Sequence, residues 1–482
     1  MPLTKKTKIL CTLGPATDKR ATLERMIRAG MNMARINMSH GNHGEHAHRI
    51  DQLHKAAKST DRFIGVLVDL QGPKLRIGEL DPDGLDLKKG QTIQIGGRCT
   101  RDTDAWLPLD FKHLAAELQT GDTILLADGT LELRTIATNH GAVRAKVVRG
   151  GHLTSRKGIN VPGRALSVPA FTHKDKADLA FGLKHDADYF ALSFVRTAKD
   201  IKAVKSAMKR AGRSRPVIAK IEKPQALDDI DNIIDVADGI MVARGDLGVE
   251  LSVERVPAAQ KTLIHKCASA DKWVIVATQM LETMIDHATP TRAEASDVAN
   301  AVYDGADCLM LSGETAVGQY PVRAVDMMAR VCRAAEATAE LDLPENAWRR
   351  RRGDRTPVEK SRQLYRAVVD AAMVLLRESD ATALWVFTQS GRTAHLVSKS
   401  RPGKPVYAFS PDPATLRYLS GHWGLHPLHV PVAKTTDEMV RTGEKSACTR
   451  HCARTGDRVV VLAGEAPTVG ATNIVKVHHV RG

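Results

Sequence analysis

Aromatic side chains are scarce in this 482-residue chain, with Phe, Tyr and Trp together making up 4% of it. Base-stacking platforms need aromatics interleaved with basic residues, and none is laid out here, so no nucleic-acid partner is expected. The seven cysteines, Cys11, Cys99, Cys267, Cys308, Cys332, Cys448 and Cys452, are odd in number and scattered. That argues against a disulfide framework and for a reducing, cytoplasmic setting. Cys448 and Cys452 stand one helical turn apart around His451, a weak spacing for a metal site that is better read as a helix face. No apolar run approaches the roughly 20 residues that cross a bilayer, so no membrane role is expected. The short basic start Met1–Lys8 has no signal-peptide core. A Gly-x-x-x-x-Gly-Lys-Ser/Thr phosphate loop is also missing, which leaves phosphate to side chains and metal. Acidic residues are outnumbered as well: 70 Lys and Arg against 55 Asp and Glu leave a net charge of +15. Without stacking surfaces, that surplus suits small polyanions. The run Arg349–Arg352 reads as a solvated linker rather than a nucleic-acid arm.

What is present is a repeated alternation of short apolar runs with longer amphipathic stretches. The runs Lys8–Leu13, Asn32–Asn37, Ile64–Asp69, Ala187–Leu192, Val217–Ile221, Gly239–Val242, Val274–Thr278 and Cys308–Leu311 read as strands buried on both faces. Helical patterns lie between them, among them Asp18–Ala29, Glu45–Lys58, Gln225–Val236 and Val253–Ala270. Eight such units are the number that closes a (β/α)8 barrel. An open doubly wound sheet shares the alternation, but polar residues crowd the ends of these strands, which favours the barrel.

The alternation breaks once, between about residues 71 and 161. Leu85–Gly90, Gln91–Gly96, Asp122–Asp128, Thr130–Thr138 and Ala142–Val148 alternate polar and apolar residues between Gly and Asp turns. These are signals of a small antiparallel β domain. Its place after the third strand suggests a lid over the barrel mouth. The expected organisation is a barrel from 1–70 and 162–342, an insert from 71–161, and an α/β domain from 343–482.

Active sites of such barrels gather where the strands end. Those ends here supply Arg35, Asn37, Ser39, Asp69, Lys220, Glu222, Arg244, Asp246, Thr278, Ser312 and Glu314. Lys220 and Glu222 are two apart and face the same side of a strand. Glu222 and Asp246 are hard oxygen donors suited to Mg²⁺ or Mn²⁺. Lys220 is a compact cation for a developing negative oxygen, and Arg35 can fork onto a phosphate. Gly245 lets backbone N–H groups approach an anion. The pattern points to phosphoryl transfer.

Several long stretches carry a more specific resemblance. They are Thr7–Pro15, Gly30–Gly41, Val68–Gly78, Lys157–Gly163, Ile218–Lys223, Asp238–Glu250, Ala277–Ile285, Pro290–Asn300 and Asp307–Gly318. Together they resemble the pyruvate kinase family, which moves the phosphoryl group of phosphoenolpyruvate to ADP, giving pyruvate and ATP. The resemblance implies Mg²⁺ or Mn²⁺ on Glu222 and Asp246, with Lys220 facing the transferred group and the enolate oxygen. It implies substrate-carboxylate contacts from Gly245, Asp246 and Thr278, and nucleotide contacts from Arg35, His40, Arg76 and Lys157. Asn37, Ser39 and Asp69 match a monovalent-cation site. A homotetramer is also implied.

One departure is informative. Many members carry Thr-Lys-Gly-Pro-Glu where this chain has Leu70-Gln71-Gly72-Pro73-Lys74, and those members need K⁺. Lys74 places a tethered ammonium there, so K⁺ is expected not to be required. In the C-terminal region, Thr388, Ser390, Gly391, Arg392 and Thr393 lie at a strand-to-helix turn whose amides and hydroxyls can cradle phosphate. Family members take sugar-phosphate effectors in this region, so an effector site is expected there. Lyases and condensing enzymes on related barrels share the metal carboxylates, but they have no need of the insert or of Arg76 and Lys157.

Overall fold

A computed structural model describes residues 5–97, 105–109, 111, 113–139, 141–164, 167–342, 360–464 and 472–482. Cys99 and Arg349–Arg352 lie outside the described residues. Eight parallel strands close into a barrel: β1 (Lys8–Thr12), β2 (Met33–Asn37), β3 (Gly65–Leu70), β4 (Tyr189–Leu192), β5 (Val217–Ile221), β6 (Gly239–Ala243), β7 (Trp273–Ala277) and β8 (Cys308–Leu311). Each pairs with its sequence neighbours, and β8 closes on β1. Side-chain alternation sorts each strand into two packing layers. Leu10, Met33, Leu67, Ile218, Met241, Ile275 and Met310 fill the inside, while Ile9, Ala34, Val68, Ala219, Val242 and Val276 face the helices. Apolar residues are therefore needed at nearly every position, as the runs in the sequence show.

The strand ends differ from the sequence expectation where side chains intervene. The fourth run starts at Tyr189, because Asp188 turns aside to accept the Val66 N–H and pair with Arg417. The seventh stops at Ala277, because Thr278 has φ +71, outside any strand conformation. The expected helix Gln225–Val236 is two helices, Pro224–Asp228 and Ile230–Val236. They part at Asp229, whose carboxylate accepts bonds from Ala198 and Asn232. Val253–Arg255 forms a 3₁₀ turn before the helix Val256–Ser269.

The insert has its own buried core, including Ile93, Ile95, Leu107, Ile124, Leu133, Val143 and Val147. Its six-stranded sheet contains the expected Thr92–Gly96, Thr123–Leu126, Leu131–Asn139 and Ala142–Arg149. Three short strands went unread: Ala105–Leu107, Gly151–Leu153 and Ile159–Asn160. Two or three residues are too few to show a period. The outgoing hinge passes Gly72, which has φ +66 and donates its N–H to Asp175 Oδ1 at 3.0 Å. An added Cβ there would sit 2.9 Å from the Phe194 ring, so only glycine fits.

The C-terminal unit is a five-stranded sheet ordered Leu425–His429, Val406–Ser410, Ala383–Phe387, Arg458–Gly464, Thr472–His479. Only the last strand is antiparallel. This unit seals the N-terminal floor of the barrel. Trp273 Nε1 donates to Gly421 O at 2.9 Å, Tyr189 stacks on Tyr418, and Ser420 Oγ accepts the Gly65 N–H at 3.0 Å. Gly421 approaches so closely that a Cβ would lie 2.3 Å from Met33 Sδ. Beneath β8, Asp307 is buried and pairs with Lys399 and Arg401, each at 2.7 Å. With its floor closed, the barrel is open to ligands at the other end. No described helix is long and apolar enough to cross a membrane.

Candidate active site

At that open end a connected set of charges lines the inner wall. Asp69, on β3, has a side chain only 1% exposed. Its Oδ2 accepts Arg35 Nε at 2.7 Å and lies 2.6 Å from Nη2, while Oδ1 is 3.3 Å from Lys220 Nζ. Lys220, on β5, reaches Glu222 Oε1 at 2.9 Å and donates to Ser193 Oγ at 2.7 Å. Arg35 Nη1 donates to Thr12 Oγ1 at 3.0 Å. Glu222 Oε2 accepts the Phe194 N–H at 2.7 Å. Three strands, β2, β3 and β5, thus place Arg35, Asp69, Lys220 and Glu222 in one network. Ser193 and Thr12 complete it and were missed in the sequence. Their signal was present, since Ser193 continues the inward series Tyr189, Ala191 beyond β4, and Thr12 continues Lys8, Leu10 on β1.

The charges settle one another. Burial alone would lower the Lys220 pKa, but Asp69 and Glu222 outweigh it and push it up to about 12. Burial acts to raise Asp69, yet Lys220 and Arg35 hold its carboxyl below the usual range. Glu222 goes the other way: burial raises its pKa, Lys220 opposes this, and the charge of Asp246 adds to the rise. Lys220 is therefore a permanent cation. Glu222 and Asp246 each have one lysine beside them, Lys220 and Lys74, and as two hard carboxylates they could also hold a divalent cation. No group of three or more His, Cys, Asp or Glu among the described residues could hold a metal. Two carboxylates with further oxygens from a ligand fit Mg²⁺ or Mn²⁺ rather than a zinc-type cage. Of the two C-terminal cysteines read as one helix face, only Cys448 is in the helix, which ends at Thr449; Cys452 follows it in a turn, and both pack partly buried against the C-terminal core.

Asp246 lies in a short helix, Arg244–Glu250, that springs directly from β6. The helix went unread because seven residues between a strand and a 3₁₀ turn show little periodicity. Next to Asp246, the Gly245 N–H donates to Thr278 Oγ1 at 2.7 Å. Thr278 is β-branched at positive φ, a conformation that costs on the order of 1–3 kcal/mol and marks functional sites. Arg244 holds it there, donating Nη2 to Thr278 O and Nη1 to Asp297 Oδ1, both at 2.7 Å. Arg244 is thus a scaffold for the turn rather than part of the charge network. Glu314 is likewise structural, accepting the Leu281 and Ser312 N–H groups.

The rim holds the remaining predicted residues. Asn37 is in register with Asp69 on the neighbouring strand, and its Oδ1 accepts the Ser39 N–H at 3.2 Å. Partial desolvation and the cations Arg76, Arg35 and Lys74 lower the His40 pKa. Lys74 Nζ lies 3.5 Å from Asp246 Oδ1 and 3.6 Å from Asp128 Oδ1. Arg76 and Lys157 lie on the two strands of the hinge ribbon, where Arg76 is opposite Gly158: Ile77 N–H donates to Lys157 O at 2.9 Å, and Arg76 Nη1 to Arg156 O at 3.0 Å. Neither side chain joins the buried network among the described residues.

Comparison with known proteins bears directly on this arrangement. A family model described as the pyruvate kinase barrel domain matches residues 4–325, and one described as the pyruvate kinase alpha/beta domain matches residues 366–478. The chain belongs to the pyruvate kinase family. It is 42% identical to the pyruvate kinase of Mycobacterium tuberculosis over 481 residues, covering 99% of each chain. It is 41% identical to that of Mycobacterium intracellulare over 480 residues, again covering 99% of each. With the pyruvate kinase of Geobacillus stearothermophilus the identity is 40% over 479 residues, or 98% of this chain and 80% of the relative. The C-terminal α/β unit of this chain has a concave site of its own. Thr388, Ser390, Arg392 and Thr393 line a cavity floored by Phe387, Phe409 and Met439. At its edge the Gly391 N–H donates to Thr388 Oγ1 at 3.0 Å.

Proposed function

We propose that the barrel mouth transfers the phosphoryl group of phosphoenolpyruvate to ADP, with Lys220, Glu222 and Asp246 at the reacting end. The observation that carries this reading is the placing of Lys220 between Asp69 and Glu222, 3.3 and 2.9 Å away. Two carboxylates keep it charged inside a largely water-free wall, where a fixed cation acts more strongly than in water. As the P–O bond breaks, charge collects on the enolate oxygen. Lys220 is the chain's own group for stabilising it. A divalent ion on Glu222 and Asp246 supplies further Lewis-acid neutralisation when bound. Asp246 offers its backbone N–H to the substrate carboxylate, Gly245 adds its own by exchanging the bond it makes to Thr278 Oγ1, and Thr278 stands beside them toward the methylene carbon. A threonine hydroxyl is a weak acid, so it serves to place a proton donor rather than to be one.

Arg35, His40, Arg76 and Lys157 take the nucleotide phosphates. Bringing two polyanions into line needs cations from both barrel and lid. Asn37, Ser39 and Asp69 form the monovalent-cation-like corner. Lys74, beside Asp246, supplies the charge for which other members use K⁺. The cavity at Thr388–Thr393 takes a sugar-phosphate effector, and the assembly is a homotetramer. The test is a coupled assay for pyruvate from phosphoenolpyruvate and ADP, comparing the chain with Lys220→Met. An inactive parent or an unaffected variant overturns the reading. In tetramethylammonium buffer, the parent is expected to keep most of its rate without K⁺, and a rate recovered only on adding K⁺ removes the role of Lys74. Saturation curves with and without sugar mono- and bisphosphates test the effector site.

A further inference from the structure

The helix Arg244–Glu250 meets the inserted lid at three places. Near its start, Asp246 faces Lys74 on the outgoing hinge. Farther along, Val249 backs the turn at Gly129, where an added Cβ would lie 3.8 Å from Val249 Cγ1. At its end stands Glu250, whose side chain is 1% exposed. Glu250 Oε1 accepts Asn160 Nδ2 at 2.9 Å and lies 2.5 Å from Lys223 Nζ. The other oxygen, Oε2, is buried with no partner among the described residues. A buried carboxylate with one unmatched oxygen is costly, so stability is a poor reason for it.

Its two partners lead in informative directions. Asn160 lies on the returning hinge strand, Ile159–Asn160, three residues after Lys157. That strand is tied to the outgoing one by Ile159 N–H to Leu75 O and Ile77 N–H to Lys157 O, both at 2.9 Å. The hinge is therefore one ribbon carrying Lys74, Arg76 and Lys157. Lys223 directly follows Glu222 and sits 5.7 Å over the Phe194 ring, and the Phe194 N–H is bonded to Glu222.

We propose that Glu250 is a positioning residue that latches the lid ribbon, and with it Lys157, to the segments bearing Glu222 and Asp246. Through Asn160 it fixes the height of the ribbon; through Lys223 it fixes that height relative to Glu222. A displacement of about 1 Å at such a site is enough to cost on the order of 10²-fold in rate. The inference rests on the transfer reading above, and its test separates the two.

Asn160→Ala removes the lid side of the latch and leaves the Glu250–Lys223 pair intact. The expected result is a tenfold or greater fall in kcat/KM for ADP, with KM for phosphoenolpyruvate within twofold and a Tm lowered only slightly, by the one lost buried hydrogen bond. Adding Glu250→Gln to Asn160→Ala is expected to change kcat/KM for ADP less than twofold further, since without Asn160 the Glu250–Lys223 contact no longer reaches the lid. Amide hydrogen exchange on the full chain without substrates is expected to quicken at Ile77 and Ile159 in Asn160→Ala. Unchanged exchange, equal losses for both substrates, or multiplying losses in the double variant would overturn the latch. An inactive parent would sink the transfer reading alone, because the exchange measurement still reads the hinge.

Discussion

Lys220 projects into the barrel near its open mouth, and Lys8 projects into the same barrel near its floor; they are 8% and 2% exposed. Lys220 meets Asp69 and Glu222 and is pushed up to about 12. Lys8 meets a backbone carbonyl, Leu425 O at 2.6 Å, and burial with the nearby charge of Lys5 brings it down to about 7. Desolvation is common to both, so the difference lies in the partners. A buried cation with two carboxylates is a fixed charge available for chemistry. One with only a carbonyl is a packing element that gives up its proton easily. The two ends of the barrel differ in the same way. The mouth is built from carboxylates and cations, the floor from Tyr189, Trp273, Tyr418 and His422 in mutual contact.

Replacing each lysine by methionine breaks that comparison most directly. Lys220→Met is expected to lower kcat on the order of 10²–10³-fold, the range for losing one electrostatic stabiliser. Lys8→Met should leave kcat within a few-fold of the parent. Equal losses in a pyruvate-forming assay would show that the two ends are not functionally distinct.

An effect of similar size, on stability rather than rate, is expected from the anion that organises the mouth. Asp69→Asn leaves Arg35 and Lys220 with one carboxylate fewer, which should destabilise the chain by about 3–5 kcal/mol. Urea unfolding measures this, and a change below about 1 kcal/mol would mean that solvent reaches the network.

The floor should reveal itself through pH. His422 is buried and neutral, with its pKa lowered well below 6.5 mainly by burial. The folded state then binds fewer protons than the unfolded state in the window just below 6.5, so stability falls as pH drops through it. Tm is expected to decline more steeply between pH 7 and 5 in the parent than in His422→Asn. Parallel declines would remove His422 as a cause.

A second pH effect, in the alkaline range, belongs to Lys8. Its folded pKa of about 7 lies below its ordinary 10.5. The folded state therefore binds fewer protons between those values, and stability rises with pH from 7 toward 10. Lys8→Met is expected to flatten that slope in denaturant melts at pH 7, 8 and 9.

Much of this was legible in the residues. Arg35, Asp69, Lys220 and Glu222 were readable because inward positions on a strand recur every two residues, so polar residues at successive strand ends must converge. Ser193 and Thr12 obey the same rule and were passed over because a lone hydroxyl carries no charge to draw notice. The helix Arg244–Glu250 and the strand Ile159–Asn160 were not readable, being too short for a period. Thr278 was identifiable as a residue, but its left-handed backbone was not. That conformation is imposed from outside by Arg244 and Gly245.

The sequence by itself determined the barrel, the β insert and the α/β domain, since burial periodicity is a local property of the chain. It also determined which charged side chains could meet at the mouth. Only the tertiary structure decided which of them would be charged, and how strongly. Lys8 and Lys220 are the same residue type on the same kind of strand. They differ because a pKa depends on what other segments bring within a few ångströms, and that is decided by packing between residues far apart in the chain.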